Sequence, residues 1–213
     1  MKITLNKVMP QPLASIKHGE QSIWGNDVVL ESGKKIMLNA ASGKGKSTFT
    51  YTTFGLRNDY SGKIIYGDRD IKTFSVDEWT EIRTTKVSVV FQDLQLFPSL
   101  TVKENLLLKN SLTNSFTEST LIEKLDELGI VDKWEQKCGL LSMGQQQRVA
   151  IIRALSQPYE WLFMDEPFSH LDEVNTQICL AMINQRTVEQ GAGFVLTTLG
   201  DDHQFSFDYT LNL

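Results

Sequence analysis

The run Asn39-Ala40-Ala41-Ser42-Gly43-Lys44-Gly45-Lys46-Ser47-Thr48 follows an apolar stretch ending at Leu38 and precedes residues that can begin a helix reaching about Phe54. Strand, glycine loop and helix in that order suit a phosphate. Gly43 and Gly45 let backbone N–H groups close on the anion without a Cβ in the way, Lys46 brings a point charge to the terminal phosphates, and Ser47 offers a hydroxyl to Mg²⁺. The pattern GxxxxGK[ST] is met except at its first position. There Ala40 replaces glycine, which is harmless if that residue keeps a negative φ and costly if it needs a positive one. Ser42, Gly43, Lys44, Gly45, Lys46, Ser47 and Thr48 are therefore the candidate nucleotide contacts, with the Lys44 side chain expected in solvent. A loop of this kind is compatible with kinases, GTPases and motor ATPases alike.

A second site narrows the choice. Trp161-Leu162-Phe163-Met164-Asp165-Glu166-Pro167 is an apolar strand that ends in two acids. If that strand is buried beside the phosphate loop, Asp165 can hold Mg²⁺ through water, and Glu166, one residue nearer the γ-phosphate, can polarise the attacking water. Upstream, Leu141-Ser142-Met143-Gly144-Gln145-Gln146-Gln147-Arg148 opens a helix with apolar positions at Val149, Ile152 and Leu155, and Pro158 bars its continuation.

With these motifs in this order, the chain resembles the ATP-binding cassette (ABC) family, whose signature LSGGQ lies just ahead of the acidic strand. The resemblance extends over essentially the whole chain. Gln92, in Val90-Phe91-Gln92, looks like the family's Q-loop glutamine, which implies a part in catalysis and in holding the metal; Ser169-His170-Leu171-Asp172 looks like its D-loop. The stretch from Phe91 through Leu96-Phe97-Pro98 to Val102, with Glu104-Asn105, is similar to the small importer and lipoprotein-release type cassettes. The resemblance implies ATP and Mg²⁺ as ligands and a head-to-tail dimer, homo- or heteromeric. In it Ser142, Gly144 and Gln145 of one subunit would meet the γ-phosphate held by the other, drawing on the positive end of the signature helix. It also implies a membrane permease supplied as a separate chain.

Three positions depart from the family. Met143 replaces the first signature glycine, so weaker phosphate contact is expected there, and Ala40 is the second departure. Leu199, in Thr198-Leu199-Gly200, stands where the family has a switch histidine and cannot hydrogen-bond a phosphate. His203 follows four residues later and is expected on the surface. Trp24 reads as a packed sheet residue in preference to an adenine platform. The apolar group Leu94, Leu96, Phe97 and Leu100 suits either the core of a helical lobe or the groove that receives a permease helix.

The elements that must position these residues are legible as short β-type runs: Ile3 to Leu5, Ile23 to Leu30, Lys35 to Leu38, Lys63 to Tyr66, Val87 to Phe91, Trp161 to Met164, Phe194 to Thr198 and Tyr209 to Leu213. Several are solidly apolar, as strands buried on both faces of a parallel sheet are, while the alternating N-terminal runs suit an antiparallel part. From about residue 93 to 158 helical periodicity takes over, as in Leu121, Ile122, Leu125 and Leu128 before Gly129, with Thr117 and Thr120 equally good caps. The expected fold is an α/β P-loop NTPase: a mainly parallel sheet flanked by helices, an N-terminal antiparallel part and a helical subdomain insertion, all in one unit spanning residues 1–213.

Composition agrees. The chain has 213 residues, 41% of them hydrophobic and 22% charged, enough apolar material for a packed core. No apolar run approaches the roughly 18 residues of a membrane span, and Pro10 and Pro12 interrupt the N-terminal stretch before a signal peptide can form. Two cysteines, Cys138 and Cys179, make neither a disulfide framework nor a metal cluster and fit a reducing cytoplasm. A net charge of −5 argues against nucleic acid as a partner. The reading that follows is a cytoplasmic ATPase subunit held at the inner face of the membrane by its permease. The alternatives are a weakly hydrolysing, nucleotide-gated regulatory module, favoured by Ala40, Met143 and Leu199, and an ATPase of DNA repair or translation, disfavoured by the acidic charge.

Overall fold

The computed structural model describes residues 1–39, 41 and 43–213; Ala40 and Ser42 lie outside the described residues. The described residues form two sheets. Strands β1 (Ile3–Pro10), β2 (Asp27–Leu30), β4 (Tyr60–Tyr66) and β5 (Arg69–Asp70) form an antiparallel sheet in the order β2-β1-β4-β5. Strands β3 (Lys35–Asn39), β6 (Val87–Val90), β7 (Trp161–Asp165), β8 (Gly193–Thr198) and β9 (Tyr209–Asn212) form a parallel sheet in the order β6-β7-β8-β3-β9. In β7 and β8 every residue is buried, the continuous burial expected of strands covered on both faces. The apolar run from Ile23 is strand only from Asp27; Gly25 turns the chain ahead of it, although the Ile23 N–H still bonds the carbonyl of Asn212.

Among the described residues six α-helices cover the sheets: α1 (Lys46–Thr53), α2 (Val76–Thr85), α3 (Val102–Asn110), α4 (Glu118–Glu127), α5 (Met143–Leu155) and α6 (Glu173–Glu189). Between β6 and β7 lie α3, α4 and α5 with no strand among the described residues, in the stretch where helical periodicity replaced the strand pattern. Thr117 caps α4, its hydroxyl accepting from the Thr120 N–H. Helices α2 and α6 escape the periodicity reading. α2 buries none of its residues fully and is held through Trp79, which packs edge-on against Tyr66 and Phe74. Its capping box, Ser75 with Glu78, is the local signal that marks it.

The core has two parts. One joins Phe49 of α1 with Phe163, Trp161, Ile36 and the antiparallel sheet; the other joins α3 to α6 with Leu162, Met164, Phe194 and Leu196 on the opposite face of the parallel sheet. Cys138 and Cys179 are buried free thiols, and burial raises both, to about 11 and about 12, so they are protonated packing groups. Among the described residues no helix is long and apolar enough to cross a membrane.

Candidate active site

The sheet order brings the separate motifs together. β8 lies between β3 and β7, so Thr197 is in register with Leu38 on one side and Asp165 on the other. The phosphate loop after β3, Gln92 after β6 and the acids ending β7 therefore meet at the carboxyl ends of the parallel strands, where ligands bind in open α/β sheets. A pocket there is lined by Gly43, Gly45, Lys46, Ser47, Thr48, Gln92 and Glu166, with Leu13 as its apolar wall.

Helix α1 begins at this pocket without a side-chain cap. Gly45 is its N-cap at φ 102°, whereas α2 to α6 are capped by Ser75, Thr101, Thr117, Ser142 and Asp172. The first N–H groups of α1 have no capping side chain among the described residues, and an anion is their natural partner. Gly45 is required on two counts: the left-handed φ, and the fact that a Cβ would lie 2.5 Å from Leu13 Cδ1. Beneath the loop Trp24 is 3% exposed, donates from Nε1 to the Lys44 carbonyl at 3.3 Å and packs on Phe49. It is packed as expected and supports the loop, but it lies in the turn ahead of β2 and not in a sheet.

Lys46 is buried, and its Nζ lies 3.1 Å from Glu166 Oε1 and 3.4 Å from the Ala41 carbonyl. Ser47 Oγ donates to Gln92 Oε1 at 3.1 Å. Asp165 is fully buried: Oδ1 accepts from the Thr197 hydroxyl at 2.7 Å, while Oδ2 has no hydrogen-bond partner among the described residues. Burial pushes this carboxyl above the usual carboxylate range, the adjacent Glu166 charge adding to the effect. Glu166 adopts a left-handed φ of 47°, rare outside glycine, and its N–H bonds the Thr197 carbonyl and hydroxyl at 3.3 Å each. That turn swings its carboxylate off the strand axis toward Lys46.

The signature residues do not line this pocket. Ser142 and Gln145 cap α5 reciprocally, Met143 is 45% exposed, and a Cβ on Gly144 would come within 2.6 Å of the His170 carbonyl. Buried Gln147 completes the link, donating to Ser169 Oγ at 2.9 Å and accepting from the His170 N–H at 3.0 Å. Signature helix and D-loop thus form one rigid unit. Of the loop candidates, Ser42 lies outside the described residues, as does Ala40. Lys44 is half-buried, so its side chain is not simply in solvent. His203 also departs from expectation: its side chain is 17% exposed, its ring packs edge-on against Phe168, and it shares a small pocket with Glu166, Thr197 and Leu199. Leu199 itself is 63% exposed. Thr197, Gln147 and Leu13 were not foreseen; the local hint of Thr197 is the pair of threonines, Thr197 and Thr198, that closes an otherwise apolar strand.

Residues 25–169 match the model of the family described as ABC transporter. The chain is 32% identical over 183 residues to the lipoprotein-releasing system ATP-binding protein LolD of Leptospira interrogans, covering 84% of this chain and 77% of that protein. It is 33% identical over 175 residues to the thiamine import ATP-binding protein ThiQ of Cereibacter sphaeroides, covering 81% and 73%. Among solved structures, the dimeric bacterial ABC transporter cassette MJ0796 superposes with a TM-score of 0.83 over 99% of this chain and 94% of that one, at 24% identity. The same cassette in a dimeric post-hydrolysis state bound to ADP and Pi gives 0.78 at 26% identity, covering 93% and 88%.

Proposed function

The chain belongs to the ABC transporter family, and from that premise we infer that it is the ATP-hydrolysing subunit of a transporter, closing a dimer on ATP and driving a separate membrane permease. The observation that carries the residue roles is the convergence of Lys46, Ser47, Gln92, Asp165 and Glu166 at the carboxyl ends of β3, β6 and β7, with β8 between β3 and β7. The roles themselves are proposals. Gly43, Gly45 and Thr48 surround the phosphates, and the uncapped amides of α1 receive them. Lys46 exchanges its present carboxylate partner for the terminal phosphates, which leaves Glu166 to accept a proton from the attacking water. Thr197 is a positioning residue that holds both acids through one hydroxyl. Ser142, Gly144 and Gln145 complete the site of a second subunit.

The residues fit a hard cation. Ser47 Oγ, Gln92 Oε1 and the unpartnered, buried Asp165 Oδ2 are oxygen donors of the kind Mg²⁺ takes, Asp165 acting through water. When bound, Mg²⁺ would supply neutralisation of charge on the phosphates. The whole chain acts as one ATP-binding unit with its helical subdomain at about 93–158, cytoplasmic and peripheral at the membrane through the permease.

Glu166→Gln is the test. It removes the base and also the carboxylate that competes for Lys46, so ATP should bind at least as tightly while turnover falls by a factor on the order of 10³. Sizing chromatography of the variant with Mg-ATP should show a dimer absent without nucleotide. Hydrolysis at the parent rate would remove Glu166 from the role of base.

A further inference from the structure

Where α1 ends, the chain opens a second cleft, of about 390 Å³, and none of the residues around it lines the phosphate pocket. The turn after α1 supplies Gly55, the loop into β4 supplies Arg57 and Asn58, and Tyr60 begins that strand; Lys72, in the turn Ile71–Thr73, and Trp79 of α2 close it. Gly55 fixes the shape of this wall. At its φ of 71° a Cβ would lie 2.1 Å from the Trp79 ring, so only glycine lets the indole rest against the end of α1. Among the described residues no Asp or Glu lines the cleft, although the chain carries a net charge of −5.

The groups around the cleft are donors in want of an acceptor. Tyr60 is 6% exposed, and its hydroxyl is buried without a hydrogen-bond partner among the described residues. Burial raises this phenol well above its usual range, so the hydroxyl keeps its proton, and a buried donor left unpaired costs free energy that an acceptor in the cleft recovers. Lys72 Nζ lies 3.8 Å from the centre of the Tyr60 ring and donates to the Tyr60 carbonyl at 2.9 Å, but it has no carboxylate partner among the described residues. Arg57 turns Nε and Nη2 to Asp59, at 2.6 Å each, and its Nη1 makes no hydrogen bond among the described residues. The nearby acid Asp70 accepts from the Lys72 N–H at 3.0 Å. The carbonyls of Phe54 and Gly55, which end α1 and would repel an anion, are covered by Arg83. The rings are engaged as well: Lys72 lies over Tyr60, Arg83 over Trp79 and Arg69 over Phe74, so the cleft offers hydrogen bonds and positive charge in place of an open ring to stack on.

We propose that this cleft binds a compact polyanion, one oxyanion group lying between the Tyr60 hydroxyl and Lys72 and a second meeting Arg57 Nη1 and the Asn58 amide. Carboxylate and phosphate groups share the chemistry that these donors recognise, since each accepts charge-assisted hydrogen bonds from an ammonium and a guanidinium. The site is separate from the phosphate pocket, so it stands or falls independently of the roles given to Lys46 and Glu166.

The probes are citrate, succinate and pyrophosphate, with succinamide as the neutral counterpart of succinate, titrated calorimetrically into the full chain without Mg²⁺ or nucleotide. Citrate or pyrophosphate should bind with a Kd of about 1 mM or tighter, and succinamide should not bind. Citrate the tighter of the two assigns the carboxylate form of the ligand, pyrophosphate the tighter assigns the phosphate form. Tyr60→Phe, which keeps the ring, and Lys72→Gln should each weaken that binding about tenfold or more, the loss expected for one hydrogen bond to a charged group. Lys63→Gln, on the exposed face of β4 outside the cleft, should leave it unchanged. Lys46→Ala separates the two anion sites, because it weakens the phosphate pocket and should leave binding in the cleft in place. Lys72 is exposed, so Lys72→Gln tests the site even if Tyr60→Phe fails to fold. The proposal is overturned if neither citrate nor pyrophosphate binds, if succinamide binds as well as succinate, or if binding is lost in Lys46→Ala and kept in Tyr60→Phe and Lys72→Gln, which would assign the anion to the phosphate pocket.

Discussion

Leu199 follows directly on β8, exposed beside the Glu166 turn, at the position where the resemblance places a histidine. A leucine contributes no donor to a phosphate, and loss of one preorganised donor in a closed site costs about 10²-fold in rate. Basal turnover should accordingly be low. Leu199→His should raise kcat toward that factor while ATP affinity stays within about twofold, because a bond strengthened mainly in the transition state acts on chemistry and not on binding. Steady-state ATPase assays combined with calorimetry measure both. His203 is the competing residue, since its ring is held against Phe168 in the same small pocket and its N–H is fixed by the Asp201 carboxylate at 2.8 Å. If the parent turns over briskly and His203→Ala abolishes this, His203 fills the role and the Leu199 account fails.

Helix α5 couples two motifs through its first turns. Gly144 touches the His170 carbonyl, Gln147 bonds both Ser169 and His170, and Arg148 ties the helix to Leu128 and Asn175. Any side chain at Gly144 must push the D-loop away, so Gly144→Ala should lower stability by about 1 to 3 kcal/mol, the range for overpacking, and also weaken nucleotide-driven dimerisation. Met143 is different because it is exposed on the free side of the same turn. Met143→Gly should cost only about 1 kcal/mol or less through helix propensity and should strengthen the ATP-dependent dimer of the Glu166→Gln background. Thermal unfolding and sizing chromatography on the two variants check the contrast; equal effects would show that the two positions face the same surroundings.

For the molecule as a whole, Asp165, the proposed Mg²⁺ ligand, is a cost borne by the fold. Asp165 is fully buried and its carboxyl is raised by burial, so the folded state binds a proton more readily than the unfolded chain does. Stability from this group is therefore greatest below the unfolded value near about 3.9, declines as pH rises through the raised folded value, and stays reduced at neutral pH. Asp165→Asn keeps an acceptor for Thr197 and removes the buried charge. Without Mg²⁺ it should raise Tm at pH 7 by about 2 to 4 °C, the shift that about 1 kcal/mol produces in a chain of this size, with the gain shrinking toward pH 4. Calorimetric scans at the two pH values test it, and a lower Tm at pH 7 would show that the ionised form is the one the fold prefers.

Fold class and family were readable from the order of the motifs together with the family resemblance that they carry. A glycine loop between strand and helix, two acids ending an apolar strand and a signature ahead of them are contiguous patterns, and their residue types follow from what phosphates and cations require of a backbone and a side chain. The strands of the parallel sheet were legible for a similar reason, since burial on both faces writes a continuous apolar run. α2 and α6 were not, because neither presents a clean apolar stripe, and α2 is held by a few aromatic contacts made only after β4 is in place. What the tertiary structure alone decided are relations between distant segments. The placement of β8 between β3 and β7 sets Thr197 against both acids, α5 lays Gly144 on a carbonyl twenty-six residues away, and the end of α1, the start of β4 and the turn ahead of α2 enclose one cleft. Such relations depend on sheet order and helix packing, which no window of sequence encodes, because the interactions that set them act across chain separations far longer than any local periodicity.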